Sequence, residues 1–460
     1  MLTCNLKYLE PELMDVVRLF DGAQDMCIVQ HSDERDGVFE NTVTVDGETR
    51  TFSDSDTAED ELRFKSLTKR YAKLALYRVL KERTGISLPW GALTGIRPTR
   101  LAYQELAAGR PFEPLFARMD VSRDNTELVR RVLEGQRPYY VRGEGNCDLF
   151  VSLPFCPTKC EYCSFITAPI AATRKYLPAY LAALKEELAA AGPLIGNLRS
   201  VYVGGGTPFA LEAEELAEVL AAIAPLRTNG CEYTVEAGRP DTFTREKLDV
   251  CRQYGVTRIC INAQSFSDAT LERIGRKHTA QAVRDAFALA APYGMRINCD
   301  LIAGLTDEPY EAFCHSVDEA IALAPDNITV HTLCLKKGAR LKEETQRLEE
   351  GSLAAMIDYS RRALTAAGYE PYYLYRQKYM AGAHENVGWT KPGAACVYNI
   401  DVMEEIADNL AVGANAVSKK LFEGGRRIER HGSPKDIPTY LAKVGQLIRE
   451  RAELFAPSSR

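Results

Sequence analysis

From residue 147 to residue 333 the chain alternates short apolar runs with helical stretches, and this rhythm limits the folds open to it more than any other feature. Strands read at residues 149–153, 200–203, 232–236, 258–262, 296–301 and 327–333. Between them, residues 177–191, 214–224, 245–254, 280–293 and 310–323 carry apolar side chains at helical spacing. A strand that returns to its sheet in the same direction needs a long crossover, and a helix supplies it. Right-handed crossovers repeated in one direction curl such a sheet into a full or partial barrel. Six units cannot close the eight-stranded form. The expected core is therefore a partial (β/α)6 barrel in an α/β protein.

The chain has 460 residues, enough for two or three domains. Residues 1–145 read as a separate α/β accessory domain: a helix over 11–20, a β-meander over 26–31, 38–45 and 49–52, and a long helix over 60–84 stopped by Gly85. Shorter helices fit 99–108 and 125–135. The barrel is expected over 146–337. A small α+β domain follows over 338–460, with a helix at 353–367, a strand at 372–376 and a closing helix at 437–453. A net charge of −6 gives no electrostatic attraction to nucleic acid or an anionic membrane. No apolar run is long enough to span a bilayer, and residues 1–12 lack a signal-peptide pattern, so a cytoplasmic protein is expected.

Of the 13 cysteines, most are scattered singly among apolar residues, as small buried hydrophobes are in a reducing compartment. Cys156, Cys160 and Cys163 instead crowd into one loop, C-x3-C-x2-C, directly after the first strand of the series. Three thiolates suit a [4Fe–4S] cluster and leave its fourth iron without a protein ligand. An open iron can chelate the amino and carboxylate groups of S-adenosylmethionine (SAM). An electron from the cluster then cleaves the sulfonium and yields a radical that takes hydrogen from a substrate. The rival is a structural zinc site. Zinc asks for four N or S ligands, and no histidine lies between His31 and His278. Cys147 could complete a set only from the far end of the same strand, about 30 Å away by strand rise.

Other strand ends add polar groups. Gly204-Gly205-Gly206-Thr207-Pro208 follows the second strand, where bare backbone can approach a ligand closely. Glu236 ends the third strand, Gln264 follows the fourth, Asp300 lies on the fifth, and Arg276 comes after the fourth. Active sites of this architecture gather at the C-terminal ends of the strands. Each residue alone reads as readily as a solvated or capping side chain, but their common register favours a site.

The run from Leu153 through Phe165, the 204–208 loop, Gln264-Ser265-Phe266 to His278, and Asp300 to Leu305 together resemble the radical SAM family of oxygen-independent coproporphyrinogen III oxidases. The long N-terminal region with its 93–99 loop, and the run 372–418, are most similar to the HemZ-type branch. The resemblance covers essentially the whole chain. It implies that Cys156, Cys160 and Cys163 hold the cluster. It also implies that Gly205, Gly206, Thr207, Glu236, Gln264, Arg276 and Asp300 bind SAM, with Tyr162 near the adenine. Arg276 would pair with the SAM carboxylate, and Gln264 and Asp300 would meet ribose or carboxylate oxygens.

The implied reaction is oxidative decarboxylation of coproporphyrinogen III to protoporphyrinogen IX, with a donor such as flavodoxin or ferredoxin. The chain departs from the well-studied oxidases at Phe150 and Ser152, where they carry Tyr and His, and at Phe165, where they carry a fourth Cys. The haem-chaperone branch has a His-Asn pair at Tyr398-Asn399, and His331 or His384 could substitute as a haem ligand. A haem carrier on the same scaffold, or another radical reaction on a tetrapyrrole, are the alternatives. A flat, four-propionate substrate calls for aromatic surface and arginine forks. Tyr372, Leu374 and Arg376 would share one strand face and supply both, although an edge strand packing its tyrosines reads equally well.

Overall fold

The computed structural model describes residues 1–95, 97–164, 168–334, 350–377 and 380–456. Phe165 and the domain boundary expected near residue 338 lie outside the described residues. The chain divides into two compact units, one comprising Met1–Arg130 with Arg376–His384, the other Arg131–Tyr375 with Glu385–Arg460.

In the first unit, β1 (Leu2–Cys4) precedes α1 (Glu10–Val17), and the meander follows as β2 (Ile28–Arg35), β3 (Val38–Val45) and β4 (Glu48–Ser55). β1 pairs in parallel with β2, a contact with no local signal in the sequence. The long helix α2 (Glu61–Thr84) starts where the Asp60 side chain accepts from the Arg63 N–H, and stops at Gly85 with φ +71°. Leu67, Tyr71, Leu74 and Leu80 on α2 are fully buried, and the Tyr71 ring lies 5.2 Å from that of Phe39 on β3. Helices α3 (Pro98–Ala107) and α4 (Glu113–Arg118) follow, and α5 (Arg123–Gln136) begins in this unit and ends in the second.

The second unit contains the expected βα series. In chain order it runs β5 (Asn146–Leu153), β6 (Phe155–Cys156), β7 (Ala168–Pro169), α6 (Ile170–Thr173), α7 (Leu177–Ala191), β8 (Asn197–Gly205), α8 (Ala213–Ile223), β9 (Glu232–Gly238) and α9 (Arg245–Gln253). There follow β10 (Arg258–Ile261), α10 (Asp268–Arg273), α11 (Ala280–Ala290), β11 (Arg296–Ala303), α12 (Tyr310–Ala322) and β12 (Asn327–Thr332). The last stretch holds α13 (Glu350–Ala366), β13 (Glu370–Tyr375), β14 (Asn386–Thr390), α14 (Val397–Glu404), β15 (Asp408–Val412), β16 (Val417–Phe422), β17 (Arg427–Gly432) and α15 (Ile437–Phe455).

The six series strands β5, β8, β9, β10, β11 and β12 lie side by side in chain order and in parallel. The fold class is thus α/β as expected. The sheet is longer than the series alone, because β14 and β13 extend it beyond β12 and β15, β16 and β17 extend it beyond β5, giving 11 strands. Strand β15 pairs in parallel with β5 from Asp408 opposite Cys147 to Val412 opposite Val151.

Alternation along the strands sorts the two faces. Leu149, Val151 and Leu153 on β5, and Val201 and Val203 on β8, are fully buried. The other face carries Asp148, Phe150, Ser200, Tyr202, Glu232 and Glu236, and α14 packs there against β8 and β13. At the N-terminal strand ends of this face, the buried Arg258 donates to Asn298 Oδ1 (2.8 Å), Glu232 Oε2 (3.2 Å) and the carbonyls of Ala394 and Ala395. Within this polar layer Arg258 Nε and Asn327 Nδ2 still have no hydrogen-bond partner among the described residues. No helix among the described residues is long and apolar enough to cross a membrane.

Candidate functional site

The cysteine loop leaves β5 through Pro154 and is strapped from several sides. The Thr207 N–H donates to the Phe155 carbonyl (2.7 Å), the Glu161 N–H to the Ile274 carbonyl (3.0 Å) and the Cys163 N–H to the Cys160 carbonyl (3.2 Å). The Thr207 hydroxyl lies 3.6 Å from Cys156 Sγ. Cys160 is buried, whereas Cys156 and Cys163 are half-buried, and none of the three is in a disulfide. Cys147 is buried at the opposite end of β5, where its thiol faces the Asp148 carbonyl. Among the described residues no three His, Cys, Asp or Glu side chains stand ready round a common metal position.

The glycines beside the loop have steric reasons. A Cβ at Gly206 would stand 2.6 Å from the Leu153 carbonyl oxygen, so only glycine lets the end of β8 press against the start of the loop. Gly205 has φ +94°, and a Cβ at Gly204 would lie 2.6 Å from Glu236 Oε2. The three glycines therefore make room for both the cysteine loop and a carboxylate.

Arg276 is buried against that loop, its guanidinium near the Tyr162 hydroxyl and the Cys160 thiol and donating to the Asn262 carbonyl. Burial pushes the Tyr162 hydroxyl well above its ordinary range. Gln264 sits at φ +67°, a left-handed conformation costly for a side chain of this kind. Two backbone hydrogen bonds with β11 hold it there, Gln264 N–H to the Asp300 carbonyl (2.7 Å) and Ile302 N–H to the Gln264 carbonyl (3.0 Å). Buried Gln264 Oε1, Asn262 Oδ1 and Arg276 Nε have no hydrogen-bond partner among the described residues. Buried polar atoms without partners are expensive, and a polar ligand would satisfy them.

Glu236 accepts from the Tyr202 hydroxyl at 3.1 Å. Burial, and after it the neighbouring Asp300 carboxylate, push its carboxyl up to about 7, against that hydrogen bond and one from the Gly205 N–H. Asp300 Oδ2 lies 3.9 Å from His331 Nε2, and the Tyr375 hydroxyl lies 3.2 Å from His331 Nδ1. The row of polar strand ends thus continues two strands further than expected.

Aromatic rings line the same face. Tyr398 on α14 stacks on Tyr202 with ring centroids 4.4 Å apart, and Phe150 lies 6.2 Å from each. All three are half-buried. On the far side, Tyr373 lies flat over Gly388 of β14, a position where any Cβ would collide with the ring, and reaches Thr329 on β12 (3.1 Å). Tyr375 stacks parallel to it at 6.2 Å.

Of the residues singled out from sequence, the cysteine loop with Tyr162, Gly205, Gly206, Thr207 and Arg276 forms one cluster, and Glu236, Gln264 and Asp300 form the adjoining row. Arg376 is a correction. Strand β13 ends at Tyr375, and Arg376 belongs to the first unit, where its buried guanidinium donates to the carbonyls of Leu93, Ala383 and His384 and lies over the Trp90 ring. Those carbonyls occupy the fork that a substrate carboxylate would need. Sequence reading singled out His331 only as a substitute haem ligand and not as a neighbour of Asp300, although it stands two residues beyond Thr329 on the same strand face, and it missed the role of Tyr202, two before Gly204.

Residues 150–320 match the radical SAM superfamily. The chain is 35% identical to the oxygen-independent coproporphyrinogen-III oxidase-like protein HemZ of Bacillus subtilis, over 86% of this chain and 84% of that one. It is 29% identical to the haem chaperone HemW of Escherichia coli, over 61% of this chain and 71% of that one. In structure it is similar to the coproporphyrinogen III oxidase HemN of Escherichia coli, with a TM-score of 0.55 at 20% identity, covering 67% of this chain and 71% of that one. The chain belongs to the HemZ/HemN-like radical SAM family, whose cofactors are a [4Fe–4S] cluster and SAM. Three loop thiols on one span, and the polar atoms beside them that have no partner among the described residues, fit that pair of groups.

Proposed function

We propose that the protein is a cytoplasmic radical SAM oxidoreductase that converts coproporphyrinogen III to protoporphyrinogen IX without oxygen. The observation that carries this reading is the pairing of flat aromatic surface with polar strand ends. The half-buried Phe150–Tyr202–Tyr398 stack and the half-buried Tyr375 suit a broad apolar macrocycle, and the Glu236–Asp300–His331 row lies at their edge.

Cys156, Cys160 and Cys163 would hold the cluster. Arg276 would take the SAM carboxylate, where its free Nε is available, and Gln264 and Asp300 would take ribose or carboxylate oxygens. Gly205, Gly206, Thr207 and Glu236 would border the same ligand, with Tyr162 near the adenine. When bound, cluster and SAM together supply one-electron, hydrogen-abstracting chemistry. Each of two propionates gives up a β-hydrogen atom, one electron and CO2, leaving a vinyl group. The bound cosubstrate would take up the hydrogen atom, a one-electron acceptor would take the electron, and a flavodoxin- or ferredoxin-type protein would be the electron donor.

A haem carrier is the second reading, supported by the similarity to proteins named haem chaperones and by the same aromatic surface. One experiment separates them: anaerobic incubation of reconstituted protein with SAM, reductant and coproporphyrinogen III, followed by product and CO2 analysis. Protoporphyrinogen IX with two CO2 per turnover is expected. Tight haem binding without CO2 release would favour the carrier.

A further inference from the structure

Arg239 follows β9 immediately and is 2% exposed, an unusual place for a guanidinium outside the row of strand-end residues described above. Its position is fixed at the backbone: Gly238 turns the chain at φ +79°, and the Arg239 carbonyl accepts from the Thr242 N–H (3.0 Å) and hydroxyl (2.7 Å). Its fork grips Asp241 with two hydrogen bonds, Nε to Oδ1 at 2.9 Å and Nη2 to Oδ2 at 2.7 Å. The remaining arm, Nη1, donates to the Thr158 hydroxyl. Thr158 is the middle residue of the three between Cys156 and Cys160.

Resting on the cluster assignment, we propose that Arg239 is a positioning residue for the iron–sulfur centre, which braces the Cys156–Cys160 span through Thr158. The geometry gives each group one task. Asp241 neutralises the guanidinium and orients it, and Arg239 carries that orientation to the loop. A planar fork is required, because lysine cannot hold a carboxylate with two parallel bonds and still reach a third acceptor. Further straps reach the loop at Phe155, Cys156 and Glu161. Thr158 is the point at which Arg239 holds the span. Groups one shell out from metal ligands commonly decide how firmly those ligands bind, through orientation rather than contact.

The bland alternative is that Arg239 and Thr158 merely fill space. Two substitutions at Thr158 separate the roles. Thr158→Val keeps the shape and loses the hydroxyl, whereas Thr158→Ser keeps the hydroxyl and loses a methyl group. Full-length protein is reconstituted anaerobically with iron and sulfide, and loss of the cluster's visible absorption to a chelator is timed. Thr158→Val and Arg239→Met should each speed the loss on the order of tenfold. Thr158→Ser should stay near wild type, and the Val/Met double variant should be no faster than the quicker single. Arg239→Lys should fail to rescue. A Val variant as slow as wild type, a Ser variant as fast as Val, or additive effects in the double variant would overturn the proposal. If Arg239→Met does not fold, the Thr158 pair still decides. Failure of the cluster assignment itself looks different, because wild-type protein would then take up no cluster.

Discussion

Glu236, beside Asp300 and under the Tyr202 hydroxyl, holds a carboxyl pushed up to about 7, so a proton resides there over much of the acidic range. A ligand with a sulfonium and an ammonium group favours the ionised carboxylate, so in the proposed reading SAM binding expels that proton. Affinity should then fall as pH drops below about 7, by up to roughly tenfold per pH unit, and level off above it. Calorimetric titrations across that range test this, with Glu236→Gln as comparison. The variant should bind more weakly at high pH and lose the slope. A wild-type affinity flat with pH would place the cationic groups away from Glu236. His278 offers no competing titration near neutrality, since burial, and after it Arg276, hold its imidazole down to about 3.

Local patterns made most elements legible. The Gly85 stop and the alternating apolar strands are written in consecutive residues, and the series strands and helices fall where those signals stand, whereas β14, α14, β15, β16 and β17 went unread. The cysteine loop was legible for the same reason, because its ligands are neighbours in sequence. Pairings between distant segments were not. Nothing in Leu2–Cys4 names β2 as its partner, and nothing in Asp408–Val412 names β5. Arg376 failed similarly: residues 372–376 read as one strand face, but the strand stops one residue short and the arginine is drawn to carbonyls from Leu93, far off in sequence.

Gly388 was equally silent, since its reason is the Tyr373 ring lying over it from the neighbouring strand. Gly388→Ala should force that ring aside and destabilise the protein by about 1–3 kcal/mol, read from denaturant unfolding. If Tyr375, stacked parallel on that ring, receives the tetrapyrrole, the same variant should weaken porphyrin binding while retaining the cluster. Unchanged stability would mean that the ring has another place to go.

At the scale of the whole molecule, the closing helix α15 is latched to the βα series rather than appended to it. The fully buried Glu187 on α7 accepts from the Gly413 N–H (2.8 Å), the Tyr440 hydroxyl and Arg451 (2.6 Å). Tyr180, two turns earlier on the same face of α7, donates to the Ser152 carbonyl (2.8 Å) and accepts from the Ala414 N–H (3.0 Å). Breaking a buried ion pair from one side is costly, because it strands the other charge. Glu187→Gln should cost about 3–5 kcal/mol in unfolding free energy, whereas Lys185→Gln, from an exposed pair on the same helix, should cost under about 1 kcal/mol. Equal effects of the two would show that the latch carries no special stability.

The parallel pairing of β15 with β5 also sets an order of events during synthesis. The ribosome delivers β5 and the cysteines early, and β8 can flank that strand soon after. Its other neighbour, Asp408–Val412, emerges only when most of the chain has been made. Until then the strand that leads into Cys156, Cys160 and Cys163 is an open edge, and the Ser152 hydroxyl lacks its Ala414 carbonyl. Iron and sulfide delivered to the growing chain would meet a loop on an unfinished foundation, so the finished polypeptide is the natural recipient for cluster insertion.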